Sequence, residues 1–209
     1  MEIAHQAGNA AKKQGVSAEI SARTRLIDAA TRLFCRFGIN AVGVDAVVAE
    51  AGTAKASLYK NFGSKEGLVE AVLTHEGACW RDWFLNRLCD GDARPAERLM
   101  RIFPILKEWF AKDSFFGCPF INAIGEHDKA DDRLRQLTIS HKLVVLKAIE
   151  DLAAEAGAPQ SGLLAHQIGL LMDGAIIAAM VTKDPGAADL AQATASLLIQ
   201  SSIPADRAA

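Results

Sequence analysis

Aromatic residues are scarce in this sequence: Phe, Trp and Tyr make up 6% of its 209 residues. No segment shows the sustained alternation of apolar and polar residues that is typical of a β-strand. Half of the residues are apolar and 23% are charged, which is a globular rather than a disordered composition. Because the apolar half is rich in Ala, Leu and Ile, we predict an all-α fold.

Cysteines are few and unpatterned. The four of them show neither a CxxC pair nor the spacing to histidine that is typical of zinc sites. No two histidines have metal-ligand spacing in a helix, so we expect no metal and no cofactor. The first 20 residues are polar and lack the apolar segment of a cleavable signal peptide, which makes a reducing cytoplasm the expected compartment.

One long apolar run, residues 163–182, has the length of a membrane helix. Asp173 lies near its centre, where a charge is costly in lipid, and no basic flank marks a cytoplasmic end. We therefore favour a helix buried in a protein interface, and we expect no membrane partner.

Charge is unevenly distributed along the chain. Residues 1–65 carry nine Lys or Arg and five Asp or Glu, whereas residues 66–209 carry 14 and 20. A basic front on an acidic body suits a protein whose front meets a polyanion such as DNA or RNA. Chance variation in a short segment is the alternative explanation.

Helical periodicity begins near Thr24 and is interrupted by glycine, proline and aspartate clusters. The first helix ends at Gly38, and Ser64 is the predicted N-cap of a longer helix that reaches Cys89. Together with these, the pattern predicts about nine helices, the others at 44–51, 54–61, 96–112, 118–127, 131–156, 160–182 and 186–201.

The segment 44–68 has the physical parts of a helix-turn-helix. Valines give its first helix an inward face, Gly52 supplies a left-handed turn, and Thr53 is placed to cap the second helix. Leu58 and Phe62 are expected to bury against the first helix. The opposite face of the second helix carries groups suited to a major groove, namely Lys55, Ser57, Tyr59, Lys60 and Asn61. An ordinary α-hairpin with a solvated polar face is the structural alternative.

Four short matches carry a family resemblance: Phe34 to Gly38, Ala51-Gly52, Lys55 to Phe62, and Ser64 to Leu68. With every spacing kept, they resemble the DNA-binding domain of the TetR family of transcriptional regulators over about residues 22–73. Residues 1–20 lack helical periodicity and are predicted to form a flexible extension. The resemblance implies a three-helix DNA-binding domain over 21–66 and a helical ligand-binding and dimerisation domain over 67–205.

The resemblance also implies a recognition helix over 54–60 and a set of DNA contacts. These are expected from Gly43, Val44, Thr53, Lys55, Ala56, Ser57, Tyr59, Lys60, Asn61 and Lys65. Two positions depart from the family pattern. Gly43 stands where a Ser or Thr usually caps the second helix, and Ala56 stands where a Gly usually follows the recognition-helix Lys.

By the same resemblance, the last two helices form a four-helix bundle with a second copy. A stripe of apolar and small residues on these helices is the predicted interface: Leu164, Ile168, Leu171, Ala175, Leu190, Ala193 and Leu197. Packing of the stripe inside one chain is the open alternative. A dimer also follows from physics, because one short helix makes few base contacts and two helices can read a palindrome.

Large aromatic groups are concentrated in the middle of the chain, with a few polar groups among them, as in a small-molecule site. The predicted ligand contacts are Trp83, Phe103, Trp109, Phe110, Phe120, Asn122 and His141. Each aromatic residue taken singly is also compatible with an ordinary core position. The segment Gly117–Glu126 resembles a stretch that a subset of the family places on the helix bridging the two halves.

These features together predict a homodimeric repressor that leaves a palindromic operator when a small apolar effector binds. Cys118, at a predicted helix start, leaves open a redox- or electrophile-sensing regulator, against the simpler role of a small buried packing residue. An all-α enzyme is a remote alternative because no nucleophile–base pair or phosphate loop is present, and we expect no catalysis. A protein that coats DNA without sequence preference is a further alternative.

Overall fold

The computed structural model describes residues 21–128 and 132–204. Within these ranges the chain forms nine helices and no strand: α1 (Ala22–Phe37), α2 (Val44–Glu50), α3 (Lys55–Phe62), α4 (Lys65–Cys89), α5 (Pro95–Phe110), α6 (Pro119–Glu126), α7 (Asp132–Glu155), α8 (Ser161–Thr182) and α9 (Ala187–Ser202). The all-α prediction is confirmed, and each predicted helix has a counterpart with ends within about two residues. The predicted extension over 1–20 lies outside the described residues.

The helix ends follow local chemistry, with one exception. The Ser64 hydroxyl accepts a hydrogen bond from the Gly67 N–H at 3.1 Å and so caps α4 as predicted. Gly38 ends α1 with a φ of +86°, a conformation that glycine adopts without strain. The predicted Thr53 cap of α3 is wrong: the N-cap is Ala54, and the buried Thr53 hydroxyl has no hydrogen-bond partner among the described residues.

The first three helices and the start of α4 share one small core. Leu26 of α1, Val47 of α2, Leu58 of α3 and Leu68 of α4 are all buried in it. Gly52 makes the turn between α2 and α3 with a φ of +57°. Since Leu58 points inward, the opposite face of α3 is left on the surface of the protein.

α4 runs without a break from this small core into the body. The predicted domain boundary at 66/67 therefore falls in the first turn of a continuous helix. The rest of α4 packs against α5 and α7, while α8 packs against α7 and α9 packs against α5 and α8. An ion pair of 2.6 Å between Lys107 and Asp189 ties α5 to α9.

α8 is the helix with the long apolar run. Among the described residues it alone is long and apolar enough to cross a membrane by length and composition, with a mean hydropathy of 1.6 over its best window. One of its faces is buried inside the protein, and its Asp173 accepts two hydrogen bonds from Lys142 of α7. The central charge is thus neutralised within the fold, as expected of a helix packed in protein.

Candidate nucleic-acid interface and cavity

α3 separates a buried face from an exposed one. Leu58 has no exposed surface, whereas Tyr59 is 45% exposed, and Lys55, Lys60 and Asn61 are exposed beside it. Ser57 is half-buried, and its backbone carbonyl accepts a hydrogen bond from the Asn61 side chain at 2.7 Å. The helix therefore presents cationic, aromatic and amide groups outward on a rigid support.

Lys55 already has a partner on α2. Its ammonium lies 2.9 Å from the Asp45 carboxylate, and both side chains are mostly exposed. The hydrogen bond to Asp45, and then the charge of Asp45, raise the pKa of Lys55. Lys55 is therefore a cation held at the α2–α3 junction by an exposed ion pair. Because exposed ion pairs are weak, exchanging Asp45 for a phosphate or a base edge costs little free energy.

The remaining predicted DNA contacts lie at helix starts. Gly43 is the N-cap of α2 and provides no side-chain hydrogen bond, which agrees with the missing hydroxyl. Ala56 is exposed on α3, and Lys65 opens α4 beside the Ser64 cap. Val44 differs from the others, because it is half-buried and packs against the core.

A cavity of about 310 Å³ lies in the body between α4, α6, α7 and α8. Four of the predicted ligand residues line it: Trp109, Phe120, Asn122 and His141. Its walls are mainly apolar, and its size is that of a small-molecule site. α6 contributes Pro119, Phe120 and Asn122 to this wall.

Three predicted ligand residues do not line the cavity. Phe103 and Phe110 of α5 are buried in the core of the body, on the side of α5 that packs against its neighbours. Trp83 of α4 lies elsewhere, under the ammonium of Lys112 at 4.9 Å. Trp83 follows Trp80 by three positions on the same helix, and of the two only Trp80 lines the cavity. The sequence identified the aromatic region, but aromatic content did not distinguish core from cavity wall.

Sequence reasoning missed the charged groups of the cavity. Glu76 of α4 lines it, as do Lys142 of α7 and Asp173 of α8, which form an ion pair of 2.5 Å. Glu76 accepts a hydrogen bond of 3.3 Å from the Thr31 hydroxyl of α1. No local pattern links residues so distant along the chain, so only the fold brings them together.

His141, which lines the cavity, has a defined protonation state. Its ring stacks on Phe120 with centroids 4.1 Å apart, and its Nδ1 lies 2.8 Å from an Arg81 nitrogen. A guanidinium can only donate, so Nδ1 accepts and the imidazole is neutral. Burial, followed by the charges of Arg81 and Lys142, lowers the pKa of His141 to about 4.

Gly77 makes this arrangement possible. A Cβ at this position of α4 would lie 2.7 Å from the Phe120 ring and 3.0 Å from His141 Nδ1. Both distances are shorter than van der Waals contact, so a side chain at 77 would displace Phe120 or His141. The close approach of α4, α6 and α7 at this point therefore depends on the absence of a side chain at position 77.

The C-terminal end of α6 is hydrogen-bonded to the segment between α1 and α2. The Glu126 carboxylate accepts a hydrogen bond of 2.8 Å from the Asn40 N–H, just after α1. The Asn40 side chain in turn donates to the Glu126 carbonyl at 2.8 Å. One short helix therefore lines the cavity at its start and contacts the DNA-binding domain at its end.

Cys118 lacks the properties of a reactive thiol. It is buried, and burial raises its pKa, although the N–H groups of Ile121 and Phe120 act in the opposite direction. Nearby Cys35 has its pKa raised to about 11, first by burial and then by the charges of Glu76 and Cys118. Both thiols stay protonated near neutral pH, so the structure gives no support to redox sensing through Cys118.

The predicted dimer stripe divides into two groups. Leu164, Ile168 and Ala175 are buried inside the protomer, so their assignment to a surface is corrected in favour of the intramolecular alternative. Leu171 is half-buried, whereas Leu190, Ala193 and Leu197 are exposed on α9. The exposed apolar residues of α8 lie on its other face and were missed: Leu163, Leu170, Ile177 and Val181.

Among the described residues, no group of three or more His, Cys, Asp or Glu is placed to hold a metal ion. The features that remain are a polar surface on α3, a mainly apolar cavity in the body, and an exposed apolar face on α8 and α9.

Residues 26–72 match the family model of bacterial regulatory proteins of the tetR family. Among curated proteins, the chain is 34% identical over 86 residues to the HTH-type transcriptional repressor KstR2 of Mycobacterium tuberculosis. That match covers 40% of this chain and only 41% of the relative.

Solved structures extend the likeness to the body. A TetR-family transcriptional regulator from Streptomyces coelicolor is 25% identical, with a TM-score of 0.79 over 87% of this chain and 95% of that one. A TetR-type regulator from Streptomyces avermitilis is 27% identical, with a TM-score of 0.75 over 87% and 98%. Residues 26–72 therefore match the DNA-binding domain of the tetR family, and the chain as a whole shares the fold of TetR-family transcriptional regulators.

Proposed function

We propose that this protein is a sequence-specific repressor that binds a palindromic operator as a homodimer in the cytoplasm and is released by a small apolar effector. The observation that carries the proposal is α3, which buries Leu58 completely and exposes Lys55, Tyr59 and Lys60 within the family-matched segment. The similarity to a transcriptional repressor over 86 residues supports repression rather than activation.

In this proposal α3 enters the major groove. Lys55, Ser57 and Tyr59 meet base edges and nearby phosphates, while Lys60 and Asn61 follow the backbone. Lys55 exchanges its exposed partner Asp45 for DNA. Other contacts come from Gly43, Val44, Thr53, Ala56 and Lys65 at the helix starts and on the flank of α3.

The second copy is proposed to bind the exposed face of α8 and α9. These two helices pack side by side, and Leu170, Leu190 and Leu197 are between 68% and 77% exposed on them. Exposed leucines at such density favour a protein partner. A two-fold four-helix bundle would bury them and set the two α3 helices about one DNA turn apart.

Effector binding in the cavity is proposed to act through α6. A ligand that presses on Phe120 and Asn122 moves the helix whose other end holds Asn40 through Glu126. The cavity favours release only if the ligand binds better to the conformation that cannot span two grooves.

Electrophoretic mobility shift on the DNA upstream of the gene tests the proposal. Wild-type protein is expected to prefer this DNA to random DNA at matched salt, and the double variant Lys55→Ala/Tyr59→Ala to lose about 100-fold or more. Both side chains are exposed, so circular dichroism should stay unchanged. Undiminished specific binding by the double variant would disprove the α3 assignment, and equal affinity for random DNA would indicate a coating protein.

Sedimentation of Leu190→Glu/Leu197→Glu tests the dimer. Charges on this face are expected to give monomers that bind the operator weakly. Leu143→Glu is the matched control, because Leu143 is an exposed leucine on α7. A dimer that survives the double change would place the interface elsewhere.

A further inference from the structure

The charged residues that line the cavity differ in whether they have an oppositely charged partner. Lys142 is bonded to both carboxylate oxygens of Asp173, at 2.5 and 2.6 Å, so these two charges neutralise each other. Glu76 also lines the cavity, but its hydrogen-bond partner is the uncharged Thr31 hydroxyl. No Lys, Arg or His nitrogen of the described residues forms an ion pair with it. Glu76 is thus a carboxylate in a mainly apolar site without a counter-charge.

Positive groups near the cavity do not fill this role. Arg81 bonds to His141 and does not line the cavity. His141 is neutral at physiological pH, because burial and the two nearby cations lower its pKa. An anionic ligand would therefore find Lys142 already paired with Asp173, whereas a cationic ligand would find Glu76 without a counter-charge.

The aromatic residues that line the cavity also favour a cationic ligand. Trp80, Trp109, Phe116 and Phe120 all line the cavity, and the ring faces of such residues attract cations. Trp80 and Trp109 have centroids 5.4 Å apart and so form two walls of one corner. An unpaired carboxylate beside aromatic rings is the combination that recognises a substituted ammonium group.

We propose that the effector is an apolar organic cation, an amine or quaternary ammonium compound, whose charge is bound by Glu76. This inference rests on the proposed function of the cavity and specifies its ligand class. It also places the ligand charge against the DNA-binding domain, because Glu76 contacts Thr31 in the middle of α1. A cation that draws Glu76 toward itself weakens that contact.

Three probes of similar size test the charge preference on the full-length protein: benzyltrimethylammonium, its neutral isostere neopentylbenzene, and 3-phenylpropanoate. Binding is read by tryptophan fluorescence, since Trp80 and Trp109 line the cavity. The cation is expected to bind about tenfold more tightly than either competitor.

Glu76→Gln keeps the shape and an acceptor for Thr31 but removes the charge. It is expected to weaken the cation about tenfold and the neutral probe by less than about twofold. Asp82→Asn is the control, because it removes a carboxylate charge from an exposed position of α4 outside the cavity.

Equal or tighter binding of the neutral or anionic probe would overturn the inference while leaving a small-molecule cavity in place. The same holds if Glu76→Gln binds the cation as the wild type does. If none of the three probes binds, both this inference and the effector part of the proposed function fail. DNA binding, measured separately with the α3 variants, is untouched by that result.

Discussion

The DNA-binding helices and the body differ in how they use their polar residues. In the first, exposed polar groups sit within a segment of 25 residues, and their positions follow from the local order of α2, turn and α3. In the second, Glu76, Lys142 and Asp173 come from three helices and meet only in the folded cavity. A recognition surface can thus be encoded locally, whereas a cavity lined by several helices depends on long-range packing.

Gly77→Ala should have the largest effect, and it should change the body without impairing the DNA-binding helices. Its Cβ would lie 2.7 Å from Phe120, so we expect a loss of about 1–3 kcal/mol in the free energy of unfolding and a smaller cavity. Thermal unfolding and probe binding measure the two effects, and operator binding by the folded variant should persist.

Gly125→Ala is the control for this change. It lies in α6, where a Cβ would meet nothing within 4 Å, so its stability should equal or slightly exceed that of the wild type. Equal behaviour of the two variants would show that the body tolerates a methyl group at the crossing of α4, α6 and α7.

The neutral His141 should make the body sensitive to acid. Its pKa of about 4 in the fold lies below the ordinary 6.5, so the unfolded chain binds more protons between these values. Stability is therefore full above pH 6.5 and is lost as the pH falls, by about 2 kcal/mol at pH 5. Urea unfolding at pH 7 and pH 5 measures this loss.

Replacing His141 by Gln should flatten that pH dependence, whereas His166→Gln, at an exposed position of α8, should not. An unchanged slope in His141→Gln would assign the acid sensitivity to other groups.

We expect the contact between α6 and the segment after α1 to contribute less to the free energy of unfolding than the sites at Gly77 and His141. Asn40→Ala removes the hydrogen bond from the Asn40 side chain to the Glu126 carbonyl, and Glu126→Ala removes the one from the Asn40 N–H to the Glu126 carboxylate. Each single variant should lose about 1 kcal/mol in the free energy of unfolding, measured by urea unfolding. In mobility shifts, both single variants should still bind the operator but respond less to effector. Full response in both would exclude this contact as the link.

Gly43→Ser should have the smallest effect on stability and tests the locally encoded region. Gly43 has a φ of −79° and open space around its Cβ, so a serine fits without strain. The new hydroxyl can cap α2, which adds a few tenths of a kcal/mol to stability. It also adds a phosphate contact, so operator affinity should rise severalfold; unchanged affinity would place Gly43 away from the DNA.

Local sequence signals predicted most of the fold. Periodicity and caps located all nine described helices, and Ser64 caps α4 through the expected hydrogen bond. The Thr53 cap failed because the chain enters α3 one residue later, at Ala54. Turn signals specify a helix start only to within a residue or two.

Side-chain direction was harder to predict. Leu164, Ile168 and Ala175 were assigned to a dimer surface, yet the fold buries them and exposes Leu163 and Leu170. α8 is apolar on nearly every side, so its sequence contains no periodicity that would distinguish the two faces. Phe103 and Phe110 fell in the core for the same reason, since an apolar ring suits a core and a cavity wall equally.

The sequence by itself determined the helices, the turn at Gly52 and the polar face of α3, because these depend on interactions between residues close in the chain. Tertiary structure alone decided the cavity, the pairing of Lys142 with Asp173, and the isolation of Glu76. Such charges interact over a few ångströms in space, and their neighbours in space are distant in sequence.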